Sequence, residues 1–102
     1  MKLMTKELEK KFAKFPLYSQ EEKGFESEVI VKFFNPCGLG TWLITEGEKK
    51  EDGDWLFFGY YQLFEWEWGY VTLRQLEEIQ LPFGLTIERD LHANDKLVKD
   101  YI

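Results

Sequence analysis

From Trp55 to Val71 the chain runs seventeen residues of strand character, WLFFGYYQLFEWEWGYV, without a proline. Strands in globular proteins usually hold about 3–10 residues, so a reversal must fall inside this run. Its least hydrophobic stretch is Phe64–Glu67, which predicts a hairpin with arms Trp55–Leu63 and Trp68–Val71 and a turn between them. On this reading Trp68 and Tyr70 share a sheet face, while Glu65, Trp66 and Glu67 stand at an exposed tip. The second arm runs into a helix start. Thr72-Leu73-Arg74-Gln75 fits a capping box, Val71 and Leu76 fit the hydrophobic staple around it, and Leu73, Leu76 and Ile79 supply the buried side.

The rest of the chain supplies partners for that hairpin. Thr5 is placed to cap a first helix in which Leu8, Phe12 and Phe15 fall on one side, and Pro16 closes it. Ser19–Gly24 reads as a polar loop. Glu28–Phe34 is rich in β-branched and aromatic residues and reads as a strand, ended by Asn35-Pro36 and reversed at Cys37-Gly38-Leu39-Gly40. Thr41–Thr45 is its partner, and Gly47–Asp54 is a charged loop with an Asp52-Gly53 turn signal. After Pro82 and a Phe83-Gly84 turn, Leu85–Glu88 alternates as a short final strand, and Asn94 or Asp95 is placed to cap a last helical turn bearing Leu97, Val98 and Tyr101. The order predicts an α+β fold, an antiparallel β-sheet of about four to five strands with helices packed on one face, and a single domain over residues 1–102.

Composition excludes several classes. The longest nearly unbroken apolar run, Trp55–Tyr61, is far shorter than the ~20 residues a membrane-spanning helix needs. Lys2 and Lys6 bracket only Leu3, Met4 and Thr5, unlike a signal peptide, so the mature chain is expected to begin at Met1 in the cytoplasm. One cysteine, Cys37, allows no intrachain disulfide and suits a reducing compartment. One cysteine and one histidine do not supply a closed zinc site, and no cofactor is expected, although a carboxylate-only site for a hard cation stays open.

Charge is unevenly spread within a net −6. Residues 1–14 hold five lysines and two glutamates, whereas residues 51–95 hold ten acids against Arg74 and Arg89, a net −8. Such a body repels nucleic acid, whose binding relies on Lys and Arg. Two uses fit it: keeping the protein dispersed, or attracting a protein whose own surface is built to hold nucleic acid. Four Trp, five Tyr and nine Phe exceed what one small core hides, and an exposed Trp beside Glu suits a protein interface. The candidate contact residues are therefore Glu51, Asp52, Asp54, Glu65, Trp66 and Glu67.

Catalytic patterns are thin. Cys37 and His92 are the only members of a nucleophile–base pair, 55 residues apart, with no orienting acid or oxyanion element at a recognisable spacing. Gly38-Leu39-Gly40 lacks the rest of a phosphate-binding loop. Glu21/Glu22 and Glu77/Glu78 are adjacent in the chain, so their side chains diverge, and Arg89 between Glu88 and Asp90 reads as an ion-pairing residue. The chain is expected not to be an enzyme.

Six stretches, LMTKELEKKF, VKFFNP, TWLITE, WLFFGYYQLF, EWGYVTLRQLEEI and GLTIERDLH, resemble in order and spacing a domain-of-unknown-function family of about this size. The family is carried by bacteria, plasmids, conjugative elements and phages, and no catalytic activity is attached to it. Some members similar to this chain are anti-CRISPR proteins against type II-A effector nucleases. The resemblance implies a non-enzymatic inhibitor that binds a type II CRISPR effector nuclease or its guide-RNA complex, through an acidic face able to mimic nucleic acid. The alternative is a mobile-element accessory module bound to restriction or conjugation machinery. Members often carry a longer acidic insertion before EWGY, where here only Phe64-Glu65-Trp66 separates the strand arms.

Overall fold

The computed structural model describes residues 1–91 and 96–102. In chain order it contains α1 (Lys6–Lys14), β1 (Val31–Phe34), β2 (Thr41–Lys49), β3 (Trp55–Gln62), β4 (Trp66–Thr72), α2 (Leu73–Glu77) and β5 (Glu88–Arg89). The strands form one antiparallel sheet in the order β4-β3-β2-β1-β5, and the fold is α+β. Short loops make β1 to β4 a meander, and the chain then returns past α2 to lay β5 beside β1.

Helix α1 starts where Thr5 Oγ1 accepts from the Leu8 amide at 3.2 Å, and its buried side chains are Leu8 and Phe12. Helix α2 starts on a reciprocal cap: Thr72 Oγ1 accepts from the Gln75 amide at 3.1 Å, and Gln75 Oε1 accepts from the Thr72 amide at 2.8 Å. Both helices cover the same sheet face. There Phe12 and Leu76 meet Phe33, Trp42, Ile44, Trp55 and Phe57 in the main core, with Leu73, Val71 and Ile79 packed at its rim.

Four boundaries differ from the sequence reading, the first two through contacts between distant segments. Strand β1 begins at Val31 because residues 28 and 29 turn to the C-terminal segment: Glu28 bridges Leu97, and the Val29 amide donates to Lys96 O at 2.9 Å. Strand β2 continues past Thr45 to Lys49. A bulge between Ile44 and Glu46 re-phases the ladder, and Gln20 Nε2 donates to the Thr45 carbonyl at 2.8 Å. The bulge turns Gly47 toward the core, where an added Cβ would lie 2.9 Å from the Phe57 ring and 3.0 Å from that of Phe12.

The third correction concerns the long run. Strand β4 begins at Trp66, paired with Gln62, so only Leu63, Phe64 and Glu65 form the turn. Trp66 and Glu67 are strand residues, and the alternation in FEWEWGY is structural from Trp66 onward. The last strand is Glu88–Arg89, opposite Phe34 and Phe33, because the 3₁₀ turn Pro82–Gly84, with Phe83 at φ 63°, engages the backbone of Leu85: its amide donates to Pro82 O at 3.3 Å and its carbonyl accepts from the Leu81 amide at 3.0 Å. Val98–Asp100 forms a 3₁₀ turn, and Asp100 Oδ2 accepts from the Leu97 amide at 2.9 Å. The capping positions Asn94 and Asp95 lie outside the described residues.

Candidate protein-binding face

Alternation gives β3 and β4 two unlike faces. Toward the helices point Trp55, Phe57, Gly59 and Tyr61 of β3 with Glu67, Gly69 and Val71 of β4. Away from them point Leu56, Phe58, Tyr60 and Gln62 with Trp66, Trp68, Tyr70 and Thr72.

This division separates the six candidate residues. Glu51, Asp52 and Asp54 lie at the β2–β3 turn, and Glu65, Trp66 and Glu67 at the β3–β4 end, with eight-residue β3 between them. At about 3.3 Å per residue that is roughly 26 Å. Asp54 is buried. Its Oδ1 accepts from the Trp55 amide at 2.8 Å and from the Arg74 amide at 3.1 Å, so it serves the first turn of α2. Asp52 Oδ1 accepts from the Asp54 amide, and that bond, with the charges of Lys50 and Arg74, holds its carboxyl below the usual range. Asp52 also pairs with Arg74 at 3.6 Å across an exposed surface, and Glu51 is exposed.

At the other end, Glu65 is exposed in the turn and Trp66 faces away from the helices. Glu67 points to the helix side, where Tyr61 Oη donates to its Oε1 at 2.6 Å, and this bond raises the Tyr61 phenol above its ordinary value. The three residues adjacent in sequence thus occupy a turn and two opposite faces.

What the outer face does assemble is an aromatic array. Tyr60 and Trp68 lie 4.8 Å apart, Tyr60 stacks on Trp66 at 5.1 Å and 14°, and Phe58 lies 5.7 Å from Trp68 at 9° and 4.9 Å from Tyr70. Phe25, delivered by the 3₁₀ turn Gly24–Glu26, caps the array edge-on to Tyr60 at 5.2 Å and stacked on Trp68 at 5.9 Å. Phe25 and Tyr70 remain 45% and 51% exposed, and Trp66, Trp68 and Phe58 half-buried, so the array is neither core nor fully solvated.

Carboxylates border it. Glu46 follows Phe58 and Tyr70 in one cross-strand row, and its buried carboxylate accepts the Tyr18 amide at 2.6 Å and the Gln20 amide at 2.9 Å. A hydrogen bond with the Tyr18 hydroxyl, partial burial, and the negative charges of Glu46 and Glu21 raise the Tyr70 phenol. Glu21, Glu22 and Glu48 are exposed nearby along the same segment and strand. Behind Trp68 and Phe58, a cavity of about 160 Å³ is lined by Gln20, Ser27 and Thr45.

Sequence reasoning did not select Tyr18, Phe25, Phe58, Tyr60, Trp68 or Tyr70 as contact residues. The alternation of Phe58 and Tyr60, continued across the hairpin by Trp66, Trp68 and Tyr70, carried the signal for the strand residues. Phe25 reaches the array through a turn that carries no such signal.

The remaining candidates are dispersed. Cys37 is exposed in the β1–β2 turn, its amide donating to Asn35 Oδ1 at 2.7 Å, and His92 lies outside the described residues. Asp90 pairs with Lys32 at 3.5 Å, while Arg89 Nη1 donates to the carbonyls of Lys2 and Leu3 at 3.1 and 3.5 Å. Arg89 thereby ties β5 to the N-terminal segment. Glu21, Glu22, Glu77 and Glu78 are exposed. Among the described residues no group of three or more His, Cys, Asp or Glu is placed to hold a metal, and no helix is long and apolar enough to cross a membrane.

A family model described as a protein of unknown function, DUF2958, matches residues 3–101. The chain belongs to the DUF2958 family. No curated protein and no solved structure shows significant similarity to it.

Proposed function

We propose that this DUF2958 protein is a non-enzymatic inhibitor of a type II-A CRISPR effector nuclease, acting by protein–protein contact through the outer aromatic face of β3 and β4. The observation that supports this reading is the partly exposed array of Phe25, Phe58, Tyr60, Trp66, Trp68 and Tyr70 on the sheet face opposite α1 and α2, where Tyr60, Trp66 and Trp68 rest on buried Val29, Leu43 and Val98. Aromatics in that setting are the residues that anchor protein interfaces.

The chemistry of the border favours a cationic partner. Aromatic faces attract Arg and Lys by cation–π interaction, and Glu21, Glu22 and Glu48 add opposite charge. An RNA-guided nuclease holds its guide–target duplex in a positively charged channel and reads the adjacent motif with arginines, so it presents such cations. The net charge of −6 opposes direct binding of nucleic acid itself. Contact here competes with the duplex or with the motif for the same cations.

Purified protein added to a type II-A effector–guide complex at stoichiometric ratio is expected to suppress cleavage of a matched DNA target. Undiminished cleavage at large excess would overturn the proposal.

A further inference from the structure

The two edges of the sheet are unlike. Strand β5 is two residues long, which leaves almost nothing for another strand to pair with. Strand β4 is seven residues long, pairs without a register shift from Gln62–Trp66 to Leu56–Thr72, and contains no Lys, no Pro and no bulge. Those are among the devices by which natural edge strands are blunted, and Glu67 is the one charge the strand carries. In an antiparallel strand alternate residues turn both N–H and C=O to the same side, so about half of β4 aims its backbone away from β3. Among the described residues, Trp66–Val71 makes backbone hydrogen bonds to β3 and to no other segment.

From this edge we infer that β4 receives an extended segment of the partner as a sixth strand, and that this segment alternates cationic and apolar residues. The inference rests on the proposed placement of the contact at β3 and β4, and not on the partner being a nuclease. Two faces of β4 dictate the pattern. On the helix side the exposed Glu67 projects near the start of the strand, followed by Gly69, which has no side chain, at its middle, and Glu65 adds a second carboxylate in the turn. Gly69 stays side-chain-free because Tyr61 fills its space, 2.8 Å from where a Cβ would stand. On the outer side the neighbours are Trp66, Trp68 and Tyr70. An incoming strand therefore sets its Lys or Arg beside Glu67 and its apolar residues beside the aromatic array, with main-chain bonds supplying the rest. A second copy fits less well, since it brings more carboxylates and no cation from Trp66–Thr72 to the same seam.

The test uses the full chain labelled for amide NMR and a nine-residue peptide of alternating Lys and Val. Two controls accompany it: the same peptide N-methylated at every second residue, and a Glu–Val peptide of equal length. The Lys–Val peptide is expected to slow hydrogen exchange at outward amides of β4, and N-methylation to abolish that protection. Glu67→Lys should weaken the Lys–Val peptide, and strengthen the Glu–Val peptide, by about two- to fivefold, the range of one cross-strand charge pair. Protection that survives N-methylation, or the same amides protected by concentration-dependent dimerisation without peptide, overturns the inference. Failure of every peptide while target cleavage is still suppressed overturns strand addition alone. Peptide protection with cleavage unaffected supports strand addition and removes the nuclease reading.

Discussion

Trp68 stands directly across from Tyr60 in the β3–β4 ladder, their ring centroids 4.8 Å apart, and Phe25 packs over both from a segment more than thirty residues earlier in the chain. This contact joins the 3₁₀ turn to the free face of the sheet. On the proposed function, rings held in place in this way before a partner arrives reduce the ordering cost of binding.

Phe25→Ala removes an exposed ring from that array. Thermal unfolding should change little, about 1 kcal/mol or less, because the ring is only partly buried. Partner affinity, read by titrating suppression of cleavage, should fall about thirtyfold, the equivalent of an interface hot spot of ~2 kcal/mol.

Glu46→Ala tests the support beneath the array. Its carboxylate holds the amides of Tyr18 and Gln20, both of which would be left without that acceptor. Unfolding in urea should show a loss of about 3 kcal/mol, and Glu46→Gln an intermediate loss.

Gly59→Ala probes the closest approach of β2 and β3. A Cβ there would lie 2.1 Å from the Leu43 carbonyl oxygen and 2.9 Å from the Ile44 Cα, both backbone atoms that yield only if the ladder shifts. The expected destabilisation is about 3–5 kcal/mol by urea unfolding or loss of folded protein.

Tyr61 titration reports the Glu67 contact. The bond favours the neutral phenol, so the folded-state value lies above the ordinary 10.0. Its contribution to stability is fully present below about pH 10 and is lost as pH rises through the folded value. Tyr70 and Tyr101 are raised as well, so absorbance titration of tyrosinate should show several late-ionising tyrosines, of which one moves to lower pH in Glu67→Gln.

Cys37→Ser separates binding from catalysis. The thiol is exposed in a turn fixed by Asn35, so the variant should fold normally and suppress cleavage as fully as the wild type in the same assay. Loss of suppression with retained fold would favour a cysteine-dependent activity.

Local signals carried much of the fold into the sequence. The Thr5 cap, the Thr72–Gln75 box and the β-branched and aromatic runs each act within a few residues, and α1, α2 and the meander follow from them. The second half of β2 was hidden in the charged run Glu46–Lys49 because its support comes from far away. Leu17, Tyr18 and Gln20 donate backbone amides to Glu48 and Glu46 across 26 to 31 residues of chain. The hairpin reversal was legible from strand length, but its position was not: the acidic character of Glu65 and Glu67 suggested a tip, whereas the ladder pairs Glu67 with Tyr61. The spacing of the six candidate residues was hidden for a related reason. Glu51 and Asp52 belong to the same acidic stretch of sequence as Glu65 and Glu67, but β3 sets them a full strand length apart.

The most direct measurement compares three proteins in one cleavage titration against a type II-A effector–guide complex: wild type, Phe25→Ala with Tyr70→Ala, and Glu51→Lys with Asp52→Lys. The account predicts that wild type and the turn variant suppress cleavage at the same stoichiometric ratio, while the aromatic variant needs a large excess. Full cleavage in the presence of excess wild type, or suppression lost in the turn variant and kept in the aromatic one, would contradict it.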